Sequence, residues 1–478
     1  MNETPPHDRR PTVVLYNPRA VFFTLPLGLV AVGSHLDPER YRVVIVDGRL
    51  ESDGAAAVAQ HLEHAICVGM SVLTGGPIRD AMRVSRAIKR LRPDLPVVWG
   101  GWHPSMFGPA CLEEPSVDIT VQGQGEASFA ALVARLAAGE ALDDIPGITH
   151  RRADGTVVQN PPRAFISNQD FRPHDFGLIE VERYFVAKGQ RQLDYISSQG
   201  CPFRCAFCAD PFVYGRKWSG LEPERVGREI EALWQRYRFD DLCFQDETFF
   251  VYPKRVEAIA EAIDARRLPI SWAATLRADQ ATRLAEDTFA KCRRSGLRRV
   301  LVGVESGSQA MLDHIKKDIT LEQVFCTAKL CLRHGVTVIF PFIVGFPDET
   351  EDSVQASLDV AKRLRAMSPD FHTPFFYFKP YPGSAITQRA VAAGYQLPST
   401  LDEWADFDFI GSAGPWVSPS THRRVERFKF YQQMAWNRVP WWQKPVQHLA
   451  RWRLGRDIYG LPLEKVVGRW LRPQADLS

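Results

Sequence analysis

Between residues 11 and 139, short apolar runs alternate with stretches whose apolar residues recur every three or four positions. The runs at 13–16, 43–46, 65–70, 97–99 and 119–121 read as strands, and the stretches at 27–36, 55–64, 77–92 and 127–138 as helices. The strand runs are apolar throughout rather than alternating, as expected of strands covered on both faces. They predict an α/β domain at residues 1–142 built on a parallel, doubly wound, Rossmann-like sheet. In such a sheet the loops after the strands form the ligand crevice. Here these are 17–19, 47–49, 71–76, 100–105 and 122–126, and their glycines permit close approach of a large ligand. Residues 143–190, rich in proline and charge, read as an irregular connector. A second alternation follows, with strand-like runs at 193–197, 241–245, 270–275, 300–304, 337–344 and 373–378. Helical stretches at 223–237, 253–266, 282–294, 321–334 and 351–366 separate them. Six strands fall short of the eight of a closed barrel. Residues 191–390 therefore predict an open, partial (β/α)6 barrel with its site at the C-terminal strand ends, followed by a helical C-terminal extension at 391–478.

Composition narrows this picture. At 45% hydrophobic and 24% charged, the 478 residues are neither disordered nor of low complexity. No run approaches the ~18 apolar residues of a membrane span, and the polar N-terminus lacks the apolar core of a signal peptide. The chain contains nine cysteines, an odd number, and three of them fall within eight residues. That favours a reducing, cytoplasmic setting and a metal site over a disulfide framework. The net charge of +3 hides an asymmetry: residues 421–478 hold 12 Lys+Arg against 4 Asp+Glu, leaving −5 for residues 1–420. The same tail holds Trp436, Trp441, Trp442, Trp452 and Trp470, five of the chain's 12 tryptophans. Tryptophan beside Arg and Lys suits peripheral membrane contact, whereas a helical cap completing a core would use the same residues. A nucleic-acid patch would look similar, but no nucleic-acid partner is expected. No Gly-x-x-x-x-Gly-Lys-Ser/Thr loop occurs, which removes a nucleoside triphosphatase.

The strongest chemical signal is Gly200-Cys201-Pro202-Phe203-Arg204-Cys205-Ala206-Phe207-Cys208. Three thiolates spaced Cys-x3-Cys-x2-Cys can hold three irons of a 4Fe–4S cluster, which when fully ligated takes four cysteines. The fourth iron is then free to chelate another molecule. A zinc knuckle or three packed thiols would draw on the same residues, although zinc favours paired Cys-x2-Cys units and a fourth Cys or His.

This loop is the signature of the radical S-adenosylmethionine (SAM) superfamily, which the chain resembles from about residue 193 to 381. Phe207, the aromatic before the last cysteine, also matches. The resemblance implies that Cys201, Cys205 and Cys208 hold the cluster and act in catalysis, and that the unligated iron binds SAM to yield a 5′-deoxyadenosyl radical. By position, Asp246 and Glu247 stand where the family places its SAM amino-group motif, without that motif's glycines. Arg277 would pair with the SAM carboxylate. Glu305 and Ser306, in Gly303-Val304-Glu305-Ser306-Gly307-Ser308, resemble the strand that contacts the ribose. Ile343, in Ile343-Val344-Gly345-Phe346-Pro347, resembles the adenine-contacting strand, and Tyr381, in Lys379-Pro380-Tyr381-Pro382-Gly383, the loop closing the sixth. The N-terminal loops resemble the cobalamin-binding domain of the subclass that includes the class B radical SAM methyltransferases. The candidates there are Ser71, Thr74, Gly100, Gly101, His103, Gly123, Gly125 and Glu126. The familiar Asp-x-His-x-x-Gly cobalamin motif is absent, since Asp47 is followed by Gly48, Arg49 and Leu50. The resemblance therefore implies base-off cobalamin held by backbone and small side chains; a Rossmann-like domain that binds no cobalamin would show the same sheet. The activity implied is transfer of a methyl group from SAM, via methylcobalamin, to an unactivated carbon from which the radical has taken hydrogen. Radical rearrangement, cyclisation or oxidation with the same cofactors is the alternative. The implied partners are a small-molecule substrate, hydrophobic or lipid-like if the tail is interfacial, and a flavodoxin- or ferredoxin-type reductant.

Overall fold

Five apolar runs become the parallel strands β1 (Thr12–Asn17), β2 (Arg42–Asp47), β3 (Ala65–Ser71), β4 (Val97–Gly100) and β5 (Ile119–Val121). In the computed structural model, which describes residues 10–407, 413–437 and 439–459, they lie in the order β2-β1-β3-β4-β5. The connecting helices are α1 (Leu27–His35), α2 (Gly54–Ala59), α3 (Gly76–Leu91), α4 (Trp102–Cys111) and α5 (Gly125–Ala138). Val13, Leu15, Cys67, Val98 and Ile119 from the sheet pack with Leu29, Phe129, Leu132 and Val133 from α1 and α5. Burial on both faces explains why β1, β3, β4 and β5 read as unbroken apolar runs, whereas β2, at the sheet edge, is only partly buried.

Two local features differ from the sequence reading. The connector is not irregular at its start: Ile148–Arg151 (β6) pairs antiparallel with β5, and Val157–Gln159 (β7) pairs antiparallel with β6, making a seven-stranded sheet. A turn at Gly155, with φ +86°, reverses the chain between them. Residues 102–105, read as loop, begin the helix α4, with Pro104 in its first turn where a missing N–H costs nothing.

By internal packing the chain forms two units. Among the described residues the first comprises 10–202, 209–239 and 391–407; the second comprises 203–208, 240–390, 413–437 and 439–459. In the second unit Asp241–Phe244, Ser271–Thr275, Leu297–Leu301, Thr337–Ile339 and Phe371–His372 run parallel, side by side in chain order. Two expected strands are split. Pro341 and Pro374 lack an N–H for the ladder, and the chain resumes as the parallel pair Phe342–Val344 and Phe375–Tyr377. The carbonyls of both prolines remain in use: Pro341 accepts from Val304 and Glu305, and Pro374 from Phe342. The expected helix at 282–294 begins late, as Glu286–Arg294, after a single turn at Ala278–Ala281.

The start of the tail is a folded cap. Helix Pro419–Trp436 buries Val425, Phe428 and Tyr431, with Phe428 edge-on to Phe375 and Gln432 bonded to Thr373. Helix Lys444–Arg456 follows, and Trp441, Trp442 and Trp452 stay exposed at 80%, 52% and 47%. Trp436 lies under Arg365, whereas Trp470 and the polar residues 1–9 fall outside the described residues. Among the described residues, no helix is long and apolar enough to cross a membrane.

Candidate active site

In the first unit, β1 lies between β2 and β3, so the connections leave in opposite directions from this point. That topological switch is where doubly wound sheets bind ligands. Gly101 opens α4 at φ +96°, a region that favours glycine. A Cβ there would meet the Val72 backbone nitrogen at 3.1 Å and Ser71 Oγ at 3.2 Å. Gly123, also left-handed at φ +70°, faces open space, and its N–H donates to Ser105 Oγ at 2.9 Å. Gly100 ends β4, and Gly125 begins α5 close against Val32. The structure thus brings Ser71, Gly100 and Gly101 together at the end of β3 and β4. Thr74 and His103 lie deeper: His103 is fully buried against Phe107 and Trp404, with Nδ1 3.1 Å from Thr74 Oγ1. Burial lowers its pKa to about 4, so the ring is neutral. Glu126 is also buried, which raises its carboxyl pKa, and Oε2 has no hydrogen-bond partner among the described residues.

Asp47, at the end of β2, accepts from Asn17 Nδ2 at 3.1 Å, from Tyr184 Oη at 2.8 Å and from Arg49, whose side chain is nearly buried with it. Arg49 also donates to the Thr24 carbonyl at 2.7 Å. Position 49, two residues past Asp47, is thus held by a guanidinium with no lone pair to offer a metal. A cradle of glycines and Ser71, with no protein base at position 49, fits base-off cobalamin.

The cysteine loop leaves the first strand of an antiparallel pair in the first unit, Ser198–Gly200, whose partner Trp218–Gly220 follows it in the chain. Gly200 has φ +85°, and a Cβ there would sit 2.3 Å from the Lys217 carbonyl oxygen, so the residue before Cys201 must be glycine. Cys201, Cys205 and Cys208 are unoxidised and partly exposed, whereas Cys67, Cys111, Cys292 and Cys331 are buried. Burial pushes those four thiols up to about 12, which leaves them poor metal ligands. Among the described residues no three His, Cys, Asp or Glu side chains stand assembled around a vacant metal position. The match to a cluster rests on the donor set, three accessible thiols in one short loop, and on the charge around it.

That charge is built in the second unit. Arg277, buried at the end of Ser271–Thr275, donates from Nη1 to Cys205 Sγ at 3.4 Å and from Nη2 to the Lys317 carbonyl at 2.6 Å. Its Nε reaches Asp279 at 2.9 Å, and its plane lies 3.7 Å from the Phe203 ring centre. Lys317 Nζ is 2.7 Å from Glu305 Oε1, both side chains being buried, and 5.7 Å from the Phe207 ring centre. Burial opposes the ammonium, but Glu305 and Cys205 hold it above the usual lysine range. Glu305 itself sits at φ +67°, a strained position for a residue with a side chain.

The remaining strand-end residues take defined places. Asp246 is buried beside the partly exposed Glu247, and the Asp246 carbonyl accepts from Thr275 Oγ1 at 3.0 Å. Ser306 Oγ accepts from the Ser308 N–H at 3.1 Å and lies 3.3 Å from Ser357 Oγ. The Ile343 N–H donates to the Glu305 carbonyl at 2.8 Å, joining these two candidates through the backbone. Phe207 packs edge-on to Phe346, and burial raises the Tyr381 hydroxyl pKa. Sequence reasoning missed Lys317, Asp279 and Phe203. In particular, Lys316-Lys317-Asp318 reads as a solvated charge run, and nothing local signals the ion pair with Glu305.

Comparison with known proteins agrees with this geometry. The B12 binding domain model matches residues 16–133, and the radical SAM superfamily model matches residues 195–361. The chain is 31% identical over 387 residues to an uncharacterised methyltransferase of Pyrococcus horikoshii, covering 80% of this chain and 82% of that protein. It is 29% identical over 327 residues to the anaerobic magnesium-protoporphyrin IX monomethyl ester cyclase of Rubrivivax gelatinosus, covering 67% of this chain and 58% of the cyclase. The structure of TsrM, a radical SAM methyltransferase from Kitasatospora setae with cobalamin and a 4Fe–4S cluster bound, superposes with a TM-score of 0.68. At 19% identity, over 81% of this chain and 76% of that one, this likeness is one of fold.

Proposed function

Because the chain belongs to the radical SAM superfamily, in the branch that carries a B12-binding domain, we propose that it transfers a methyl group from SAM to an unactivated carbon of a small molecule. It is an enzyme whose cofactors are a 4Fe–4S cluster, SAM and cobalamin. In this chemistry the cluster supplies an electron for reductive cleavage of SAM, and cobalamin carries the methyl group. The protein holds and orients these groups. Cys201, Cys205 and Cys208 would ligate the cluster, and Phe207, Asp246, Glu247, Glu305, Ser306, Ile343 and Tyr381 would receive SAM; Arg277, expected to pair with the SAM carboxylate, bonds to Asp279, Cys205 and the Lys317 carbonyl. Ser71, Thr74, Gly100, Gly101, His103, Gly123, Gly125 and Glu126 would hold the cobalamin, the side chains of Thr74, His103 and Glu126 being buried. The division of labour follows: residues 1–142 for cobalamin, 191–390 for radical chemistry, 143–190 as connector and 391–478 as extension. A flavodoxin- or ferredoxin-type protein is the reductant.

The observation that carries this reading is the run of three accessible thiols in one short loop, of which Cys205 receives a hydrogen bond from the Arg277 guanidinium. Replacing all three cysteines with Ala is expected to abolish the visible absorption of the cluster and all formation of 5′-deoxyadenosine after anaerobic reconstitution. Retention of four irons per chain in that variant would refute the assignment. Gly101→Leu and Gly123→Leu are expected to lose cobalamin on gel filtration while keeping the cluster, because a side chain at 101 displaces the Val72 backbone and Ser71 at the cradle and one at 123 occupies the open space there. Normal cobalamin retention in both would show that the loops are wrongly assigned.

The likeness to the Rubrivivax cyclase favours a second reading, ring closure or oxidation with the same cofactors. Product mass separates the two. With a candidate metabolite pool, SAM and cobalamin, methyl transfer adds one CH2 unit to the substrate. A product lighter by hydrogen would select the second reading.

A further inference from the structure

The segment after helix Gln309–His314 laces to the cysteine loop at several points. The Ala206 N–H donates to the Ile315 carbonyl at 2.8 Å, and Arg204 forms a two-pronged pair with Asp318 at 2.8 and 2.9 Å. One guanidinium, that of Arg277, bridges the Lys317 carbonyl and Cys205 Sγ. The platform is strained in its backbone: Lys316 and Asp318 have φ of +51° and +54°, as Glu305 has +67°. Strain kept at three residues around one ion pair points to a functional demand on that pair. A Cβ at Gly303 would collide with Glu305 Oε1 at 2.3 Å and Lys317 Nζ at 2.8 Å, so the neighbouring backbone also makes room for it.

We propose that Lys317 is a positioning residue that sets the ease of cluster reduction: its buried ammonium balances Glu305 beside the Cys205 end of the cysteine loop. This rests on the assignment of the cluster to Cys201, Cys205 and Cys208. The step concerned is uptake of one electron by the cluster from an external low-potential donor. Adding that electron makes the site more negative, and a charge in a poorly solvated interior acts over several ångströms. Removing the ammonium leaves a buried carboxylate uncompensated, which opposes reduction. Removing the carboxylate leaves the ammonium uncompensated, which favours it.

The test is an anaerobic dithionite titration of the reconstituted full chain without SAM, with iron content measured and the reduced cluster followed by electron paramagnetic resonance. Lys317→Met is expected to lower the reduced-to-oxidised ratio about tenfold at fixed potential, ~59 mV more negative for a one-electron couple. Glu305→Gln is expected to move it in the opposite direction. The double variant is expected to return within about threefold of the wild type, and Lys317→Arg to match it. If Lys317→Met fails to hold the cluster, Glu305→Gln and the double variant decide. Unshifted single variants, or a negative shift in Glu305→Gln, overturn the proposal while four irons per chain in the wild type keep the cluster assignment standing. A wild type that takes up no iron removes both.

Discussion

Glu349 shows what one side chain contributes at this site. Its carboxylate accepts from the Gly345 N–H at 2.5 Å, the Phe346 N–H at 3.3 Å and Ser353 Oγ at 3.1 Å, closing the loop after Phe342–Val344. Burial raises its pKa to about 7, and the three donors only partly offset that. The folded state therefore holds a proton between the ordinary carboxylate range and about 7 that the unfolded chain has lost. Stability from this group is complete at low pH and declines as pH rises through that window, by on the order of 3 kcal/mol. Melting the apo chain at pH 5 and at pH 7.5 should show this decline in the wild type and a flatter profile in Glu349→Gln. Equal slopes in the two would remove Glu349 from the account. The pair of Glu305 and Lys317 works differently, because the two buried side chains meet at 2.7 Å.

At the scale of elements, β1 and the turns beside it are set by one aromatic ring. Tyr16 is fully buried and donates to Asp80 Oδ2 at 2.6 Å, and a Cβ at Gly48 or Gly54 would meet its hydroxyl at 2.2 Å. Gly48→Ala is expected to cost about 1–3 kcal/mol by overpacking, read as a lower urea midpoint with unchanged slope. In a Tyr16→Phe background the same change should cost less, because the colliding oxygen is gone; equal costs would place the strain elsewhere. The parallel strands were legible in the sequence because burial on both faces writes an unbroken apolar run, as in 13–16 and 65–70. β6 and β7 were not, since strands of four and three residues around Gly155 leave too short a pattern. Pro341 and Pro374 split strands that hydrophobicity alone joined. The cysteine loop was legible because its donors are close in sequence, whereas Lys317 belongs to the site only through packing with residues 12 and 40 positions away.

The charge asymmetry of the whole chain is concentrated on one described element of the tail. Helix Lys444–Arg456 carries Lys444, Arg451, Arg453 and Arg456 and no acidic residue. Beside it Trp441, Trp442 and Trp452 are exposed, and Arg456 lies 5.0 Å from the Trp452 ring centre. Four cations near an anionic bilayer contribute up to ~4 kcal/mol, at roughly 1 kcal/mol each, and less where salt screens them. Part of that charge is already engaged within the fold: Arg451 donates to the Ala435 carbonyl, and Arg453 stacks on Tyr431. Tryptophan burial would have to supply the rest, with Trp452 on the charged helix and Trp441 and Trp442 in the turn that leads into it. The test must leave the cap intact, because removing everything from residue 421 would strip out Val425, Phe428 and Tyr431, which are fully buried. Replacing Trp441, Trp442 and Trp452 with Ala avoids this. The wild type is expected to float with phosphatidylserine-containing liposomes at low salt and to release at high salt, and the triple variant to stay in solution with its cluster and cobalamin unchanged. Equal behaviour of the two proteins would assign these tryptophans no part at a lipid surface, and the case for a lipid-like substrate would fall with them.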